Sequence, residues 1–111
     1  MKKIEAIIRR SQFEEVSEAL HEVGIDFFTY WDVTGVGNEK SGAVYSSVVY
    51  ETRLIERRTI SFVCRDKFVE AATEAIVKSA RTGELGDGKI FISTIDESVR
   101  IRTGEKGPES L

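Results

Sequence analysis

Apolar residues in the first 24 positions change from a spacing of two to a spacing of three and four. Ile4, Ala6 and Ile8 alternate along the chain, which predicts a strand over residues 1–9. Beyond it, Ser11 and Glu14 have the spacing of a capping box, in which each side chain bonds the main chain near the other. The apolar stripe of the helix that follows, ended by Gly24, consists of Phe13, Val16, Leu20 and Val23.

The rest of the chain repeats this order. Residues 25–36 are rich in aromatic and β-branched side chains, which predicts a strand there. The alternation of Ile60, Phe62 and Cys64 predicts a second strand over 58–65. Asp66 is predicted to cap a helix over 68–81. Strands are then predicted at 90–95 and, briefly, at 99–102. The predicted inner face of the second helix comprises Phe68, Ala72, Ala75, Ile76 and Ser79.

Two halves, each with a strand, a helix and a strand, predict a single α+β domain over residues 1–111 with the ferredoxin-like βαββαβ layout. Both helices then lie on one face of an antiparallel sheet. The other face carries Phe, Trp and Val side chains and cannot be left in water. We therefore expect self-association around a symmetry axis to bury it.

The segment from about 37 to 56 has no helical period and is long for so small a domain. One interpretation is a hairpin that extends the two central strands, because Val44, Val48 and Val49 suit strands. The other is a mobile loop that orders on a partner. The two interpretations are compatible, since one loop can do both.

Three glycines fall within six residues, at Gly83, Gly86 and Gly88, and Lys89 follows. Glycine lets main-chain amides approach an oxyanion closely, and consecutive amides form an anion-binding concavity. Arg100 and Arg102 add two guanidinium groups nearby in sequence. The spacing is close to a Walker A motif, but here a helix precedes the loop and a strand follows it, the reverse of that motif. A plain helix-to-strand turn capped by glycine is the alternative.

Composition narrows the function classes. The net charge of −3 argues against nucleic acid as a general partner. No apolar run reaches the ~18 residues of a membrane span, and charges interrupt the first ten residues, so a cytoplasmic location is expected. The lone cysteine, Cys64, is predicted to be a core residue, and the lone histidine, His21, a surface residue.

Five stretches of the chain resemble PII signal-transduction proteins: residues 1–9, 18–25, 35–37, 80–91 and 100–105. The likeness covers about residues 1–107, and its glycine-loop and arginine motifs are highly specific together. The resemblance implies a homotrimer of ferredoxin-like subunits with their sheets facing the centre. It also implies ATP or ADP bound in clefts between neighbouring subunits.

The resemblance assigns roles position by position. Thr29 and Val63 would contact the adenine, and Arg100 and Arg102 would reach the nucleotide from the adjacent subunit. The main chain at the base of the long loop would approach the nucleotide, and the glycine loop would cradle the phosphates, with the Lys89 ammonium as a point charge. Those residues are Gly35, Gly37, Asn38, Glu39, Gly86, Asp87, Gly88 and Lys89.

The long loop, residues 37–56, would be the T-loop of the family, which docks into targets such as ammonium transporters and so recruits the protein to the membrane. Members commonly bind magnesium and 2-oxoglutarate at the loop base, which here would involve Glu39, Lys40, Arg57 and Gly86. Glu39 stands in place of a glutamine that helps hold the magnesium, and Arg57 in place of a lysine. A carboxylate can ligate Mg²⁺, so either metal binding is tighter or 2-oxoglutarate sensing is weakened.

Three further expectations complete the picture. Tyr50 matches a tyrosine that some members have modified, although its neighbours differ. The tail at 105–111 is expected to be flexible. Two functions compete with a non-enzymatic nucleotide sensor: a slow ATPase, in which Glu39 or Asp87 positions a water, and a nucleotide-free trimer of the CutA-like kind.

Overall fold

The computed structural model describes the main chain of residues 1–40 and 50–111, and the side chains of residues 1–37 and 54–111. Its strands are β1 (Lys2–Ile8), β2 (Thr29–Lys40), β3 (Tyr50–Cys64) and β4 (Gly88–Thr94). The helices are α1 (Phe13–Glu22) and α2 (Asp66–Ala80), with short 3-10 turns at Arg10–Gln12 and Pro108–Ser110. The sheet order is β2-β3-β1-β4, and every pair is antiparallel. The predicted ferredoxin-like layout is confirmed.

The core lies between one face of the sheet and the two helices. Ile4, Ala6 and Ile8 of β1 are buried, and the first two pair with Phe62 and Ile60 of the alternation that the sequence predicted in β3. The α1 stripe contributes Val16 and Leu20. Further buried residues of this cluster are Ile25, Ile60, Phe62, Cys64, Ala72, Ile76 and Ala80. The prediction of Cys64 as a core residue is confirmed, and its burial raises the pKa of the thiol.

The opposite face of the sheet has no helix over it in the described chain. Residues paired across antiparallel strands share a face, so Trp31 lies with Thr59, and Phe91 with Glu5. Trp31 is 43% exposed and Phe91 53% exposed. These aromatic side chains form part of a sheet surface that a single chain leaves in water.

The long segment extends the sheet at both of its ends. β2 and β3 continue in register to the pair formed by Lys40 and Tyr50. The hairpin interpretation therefore holds for the arms of the segment. Its centre, residues 41–49, lies outside the described residues, so the interpretation as a mobile loop stays a prediction.

Both predicted helix caps are wrong. Arg10–Gln12 forms a 3-10 turn, so Gln12 and not Ser11 precedes α1, and no side-chain cap forms at this described end. The Gln12 amide instead donates to Glu15 and to the Ser79 carbonyl at 3.0 Å, joining α1 to the end of α2. Asp66 is the first residue of α2, and its carboxylate accepts a 2.9 Å bond from the N-terminal ammonium. That bond lowers the pKa of Asp66.

Three other predictions need correction. Residues 25–28 are not part of β2, which begins at Thr29. The predicted strand at 99–102 is a turn with one isolated bridge between Val99 and Lys106, because Gly104, at φ +76°, reverses the chain. The tail is not a free end: the Ser110 hydroxyl bonds Ser98 at 2.7 Å. Neither described helix has the length and hydropathy to span a membrane.

We expect Leu20→Ala to lower the free energy of unfolding by about 2–5 kcal/mol, because it leaves a cavity in a fully buried site. Glu18→Ala, on the exposed face of the same helix, should change it by less than about 0.5 kcal/mol. Urea unfolding at one fixed protein concentration measures both. Equal effects of the two substitutions would contradict the assigned core.

Candidate functional site

The glycine loop, residues 81–87, connects the end of α2 to the start of β4. Gly83, Gly86 and Gly88 have φ values of +91°, +92° and +107°, a region that L side chains rarely adopt. At Gly88 a Cβ atom would lie 1.8 Å from the carbonyl oxygen of Ile7. At Gly83 a Cβ atom would meet nothing within 4 Å. Gly88 is therefore required by close approach of β1 as well as by its backbone angle.

The carboxylate of Asp87 is bonded from within the loop. It accepts bonds from the main-chain N–H groups of Thr82 and Gly83 at 2.8 and 2.9 Å, and from the Thr82 hydroxyl. Arg9, just after β1, donates its Nε to the same carboxylate at 3.0 Å. The Thr82 hydroxyl, the Thr82 and Gly83 amides and Arg9 together hold the pKa of Asp87 far below its usual range. Asp87 is an ionised anchor of the loop.

Two guanidinium groups lie against the loop main chain. Arg57 donates Nε and Nη2 to the Gly86 carbonyl at 3.1 and 2.9 Å, and Nη1 to the Glu56 carbonyl. Arg9 donates Nη2 to the Leu85 carbonyl at 2.7 Å. Arg9 also pairs with Asp87, whereas no described carboxylate forms an ion pair with Arg57. The loop therefore adjoins a positive charge that is not neutralised by the described residues.

A groove of about 660 Å³ lies on the uncovered face of the sheet, beside this loop. We call it the Lys89 groove. Its wall includes six residues that the sequence placed in the site, and the strands contribute the rest. The six are Gly35, Arg57, Gly86, Asp87, Gly88 and Lys89, joined by Ile7, Val33, Thr34, Val36, Ile55, Thr59 and Phe91. Lys89 is exposed, and it forms no ion pair with the described carboxylates.

The other predicted site residues of the described chain lie outside this groove. Val63 lines a second cavity of about 580 Å³, the Val63 cavity, together with Phe27 and Leu111. Thr29 begins β2 and donates its hydroxyl to the Ser61 carbonyl at 3.3 Å. Arg102 lies in the turn after Val99. One chain therefore does not bring all of the predicted site residues together.

Arg100 is held by the tail of its own chain. Its Nη2 donates to the main-chain oxygens of Glu109 and Leu111 at 3.2 and 3.3 Å, and its Nη1 lies 3.4 Å from the Glu105 carboxylate. Because the segment predicted as a strand at 99–102 is a turn, Arg100 and Arg102 do not share one face of a strand. The tail contacts were not foreseen.

For some predicted site residues the structure does not describe the side chain. The side chains of Asn38, Glu39, Lys40 and Tyr50 lie outside the described part of the chain. Their main chains belong to the β2–β3 arms, in which Gly37 pairs with Arg53. Glu39 as a magnesium ligand and Tyr50 as a modified residue thus stay predictions. Among the described residues, no cluster of three or more His, Cys, Asp or Glu side chains could hold a metal.

Sequence reasoning missed Arg9 and Thr82 as part of the site. A signal for Arg9 was available, since the predicted topology puts β1 next to β4. Arg9 follows Ile8, which pairs with Gly88 at the start of β4. Thr82 gave a weaker signal, because its hydroxyl bonds Asp87 five residues later through the loop geometry.

The fold and this site define a ferredoxin-like domain with a glycine loop beside a groove, in which Lys89 has no ion-pair partner among the described carboxylates. The family model described as "Nitrogen regulatory protein P-II" matches residues 1–105. Proteins of that name from Azospirillum brasilense and Rhodospirillum rubrum are 46% and 44% identical to this chain, and each match covers both chains completely. The chain belongs to the P-II family of nitrogen regulatory proteins.

Solved structures agree with this assignment. A Bacillus subtilis GlnK–ATP complex superposes with a TM-score of 0.85 at 36% identity, covering 99% of this chain and 96% of that one. Arabidopsis thaliana PII bound to citrate gives 0.82 at 34% identity, covering 99% of this chain and 91% of that one. The relatives are named as regulators, which fits a protein that acts by binding.

Substitutions at Gly83 and Gly88 distinguish the cost of a positive φ from the cost of a steric clash with β1. We expect Gly83→Ala to cost about 1–2 kcal/mol of unfolding free energy, from its positive φ alone. Gly88→Ala should cost about 2–5 kcal/mol, because the added methyl group also displaces the Ile7 carbonyl. Urea unfolding measures both, and an equal cost at the two sites would refute the close contact between β1 and β4.

Proposed function

We propose that the protein is a non-enzymatic regulator that binds ATP or ADP, with the phosphates in the Lys89 groove. The observation that carries the proposal is the groove itself. It brings Lys89, Arg57 and two of the positive-φ glycines around one volume within the range of small-molecule sites, the glycines being Gly86 and Gly88. The GlnK–ATP complex among the structural relatives supports the same ligand class.

The charges of the groove favour a polyphosphate over a neutral ligand. Lys89 carries an ammonium without a described acidic partner, and the bonds of Arg57 to the described residues all go to carbonyl oxygens. Asp87 is the acid in the groove wall, and its carboxylate already accepts bonds from Thr82, Gly83 and Arg9. Charge-assisted bonds to phosphate oxygens are stronger than neutral ones. The groove therefore presents net positive charge to a ligand.

A homotrimer would complete the site. Thr29, Val63, Arg100 and Arg102 lie away from the Lys89 groove of their own chain, so they can serve a neighbouring chain. The uncovered sheet face supplies the driving force, because Trp31 and Phe91 would leave water on assembly. Arg100 would then exchange main-chain oxygens of its tail for phosphate oxygens.

A dicarboxylate effector such as 2-oxoglutarate would bind at the base of the long segment, with Mg²⁺ on Glu39. Arg57 uses three N–H groups in its bonds to Gly86 and Glu56, which leaves two of its five donors for a carboxylate. The negative charge of Glu39 beside a diacid opposes this binding and favours the metal. Lys40 and the Gly86 main chain complete the proposed effector contacts.

Regulation would follow from docking of residues 37–56 on a target protein. The segment is joined to the groove by its arms, since Gly35 of β2 and Arg57 of β3 line the Lys89 groove. ATP and ADP differ in charge at this base and would favour different states of the segment. An ammonium transporter is the proposed type of target, reached from the cytoplasm by recruitment to the membrane.

We expect Lys89→Ala to weaken ATP binding at least about tenfold, because the phosphates lose a charge-assisted contact. Lys78→Ala, an exposed lysine of α2, is the matched control and should leave binding unchanged. Isothermal titration calorimetry with ATP and ADP, with and without Mg²⁺, measures the effect. A wild-type protein that binds no nucleotide at millimolar concentration would refute the proposal.

The wild-type protein should have three times the mass of one chain in light scattering coupled to size exclusion. Trp31→Glu should reduce that mass, because it introduces a charge into the sheet face that the proposed trimer would bury. Ala71→Glu places the same charge on the exposed helix layer and should leave the trimer intact. A monomeric wild-type protein would leave Arg100 without a neighbouring groove and would exclude the intersubunit site.

A further inference from the structure

Most hydrogen bonds described for the glycine loop join its main chain to side chains. The amides of Thr82 and Gly83 donate to Asp87, and the amide of Glu84 donates to the Thr82 hydroxyl. The carbonyls of Leu85 and Gly86 accept from Arg9 and Arg57. Glycines permit many conformations, and ordering them costs entropy. The loop therefore depends on these side chains for one defined shape.

Arg9 connects the loop to β1, one of the two central strands of the sheet. β1 pairs along its whole length with β3 on one side and β4 on the other. Arg9 follows it directly and contacts the loop twice, at the Asp87 carboxylate (3.0 Å) and the Leu85 carbonyl (2.7 Å). Both members of the ion pair are about three-quarters buried. The forked guanidinium thus fixes two points of the loop relative to β1.

Arg9 also affects the charge that a ligand meets. With Arg9 in place, the Asp87 carboxylate accepts four hydrogen bonds and has a cationic partner. Lys89, two residues further along, keeps its ammonium available to the groove. Without Arg9, Asp87 would be left as an uncompensated negative charge next to the phosphate position.

We propose that Arg9 and Asp87 form a positioning pair that holds the glycine loop in its phosphate-binding shape, without contact of either side chain with the nucleotide. This inference rests on the proposed function of the Lys89 groove. It changes the role expected for Asp87, from a residue that cradles the phosphates to one that shapes the loop around them. Arg9 enters the site as a residue with no previous assignment.

The test uses Arg9→Gln, Asp87→Asn and the double variant, with Arg10→Gln as the control. Arg10 is the next residue, but its charge faces Asp32 and Glu56, away from the loop. Calorimetry with ATP, ADP and adenosine gives the affinities, and amide NMR spectra of the unliganded proteins report on residues 82–88. Arg9→Lys, which keeps the charge but loses the fork, serves as a second variant if Arg9→Gln does not fold.

We expect each single variant to weaken ATP binding about tenfold and to leave adenosine binding unchanged, since only the phosphates contact the loop. The double variant should lose less than the sum of the two single losses, because each single substitution already removes the Arg9–Asp87 bond. The same amide signals at 82–88 should move in all three variants and stay in place in Arg10→Gln. Arg9→Lys should recover part of the ATP affinity.

Three outcomes would overturn the positioning pair: unchanged ATP affinity in Arg9→Gln, losses that add in the double variant, or an equal loss of adenosine binding. Failure of the proposed function gives a different result. If the wild-type protein binds no nucleotide, the groove has another role. The amide spectra still decide whether Arg9 and Asp87 hold the loop, because they require no ligand.

Discussion

The contact between Gly88 and the Ile7 carbonyl constrains the whole site. β4 can pair with β1 from its first residue only if position 88 has no side chain, since a Cβ atom there would lie 1.8 Å from that oxygen. This pairing fixes where the glycine loop ends and where Lys89 begins to face the groove. β1 ends at Ile8, so the next residue, Arg9, lies beside the loop. Sheet pairing and site geometry are therefore one constraint.

The charged groups around the loop differ in the number and kind of their hydrogen-bond partners. Asp87 has four donors and stays ionised, so its charge is used inside the protein. Arg57 has carbonyl partners, which orient a guanidinium without cancelling its charge. Lys89 has no described acidic partner. A surface with net charge −3 overall can in this way present a local positive site.

The sequence predicted the fold well because β1, β3 and both helices have a clear apolar period and the β2 region is rich in strand-forming side chains. The alternation at Ile60, Phe62 and Cys64 was enough to place β3 against the core. Local motifs predicted less. The capping box at Ser11 failed because Gln12 bonds α2, and the cap at Asp66 failed because the N-terminal ammonium takes its carboxylate. The two competing contacts join distant parts of the chain, Gln12 to Ser79 and the N-terminus to Asp66, and spacing alone does not show them.

The site was predictable to the extent that its residues are consecutive. Gly86, Asp87, Gly88 and Lys89 could be found as a run, whereas Arg9 contacts Asp87 across 78 positions of sequence. The proposed ligand contacts outside that run, among them Val63 and Arg100, also lie apart from the Lys89 groove of their own chain. If Val63 and Arg100 serve a neighbouring groove, then binding and assembly stabilise one another, because a ligand that joins two chains favours the assembled state. In that case the conformation of the β2–β3 arms, which carry Gly35 and Arg57, depends both on the bound nucleotide and on trimer assembly.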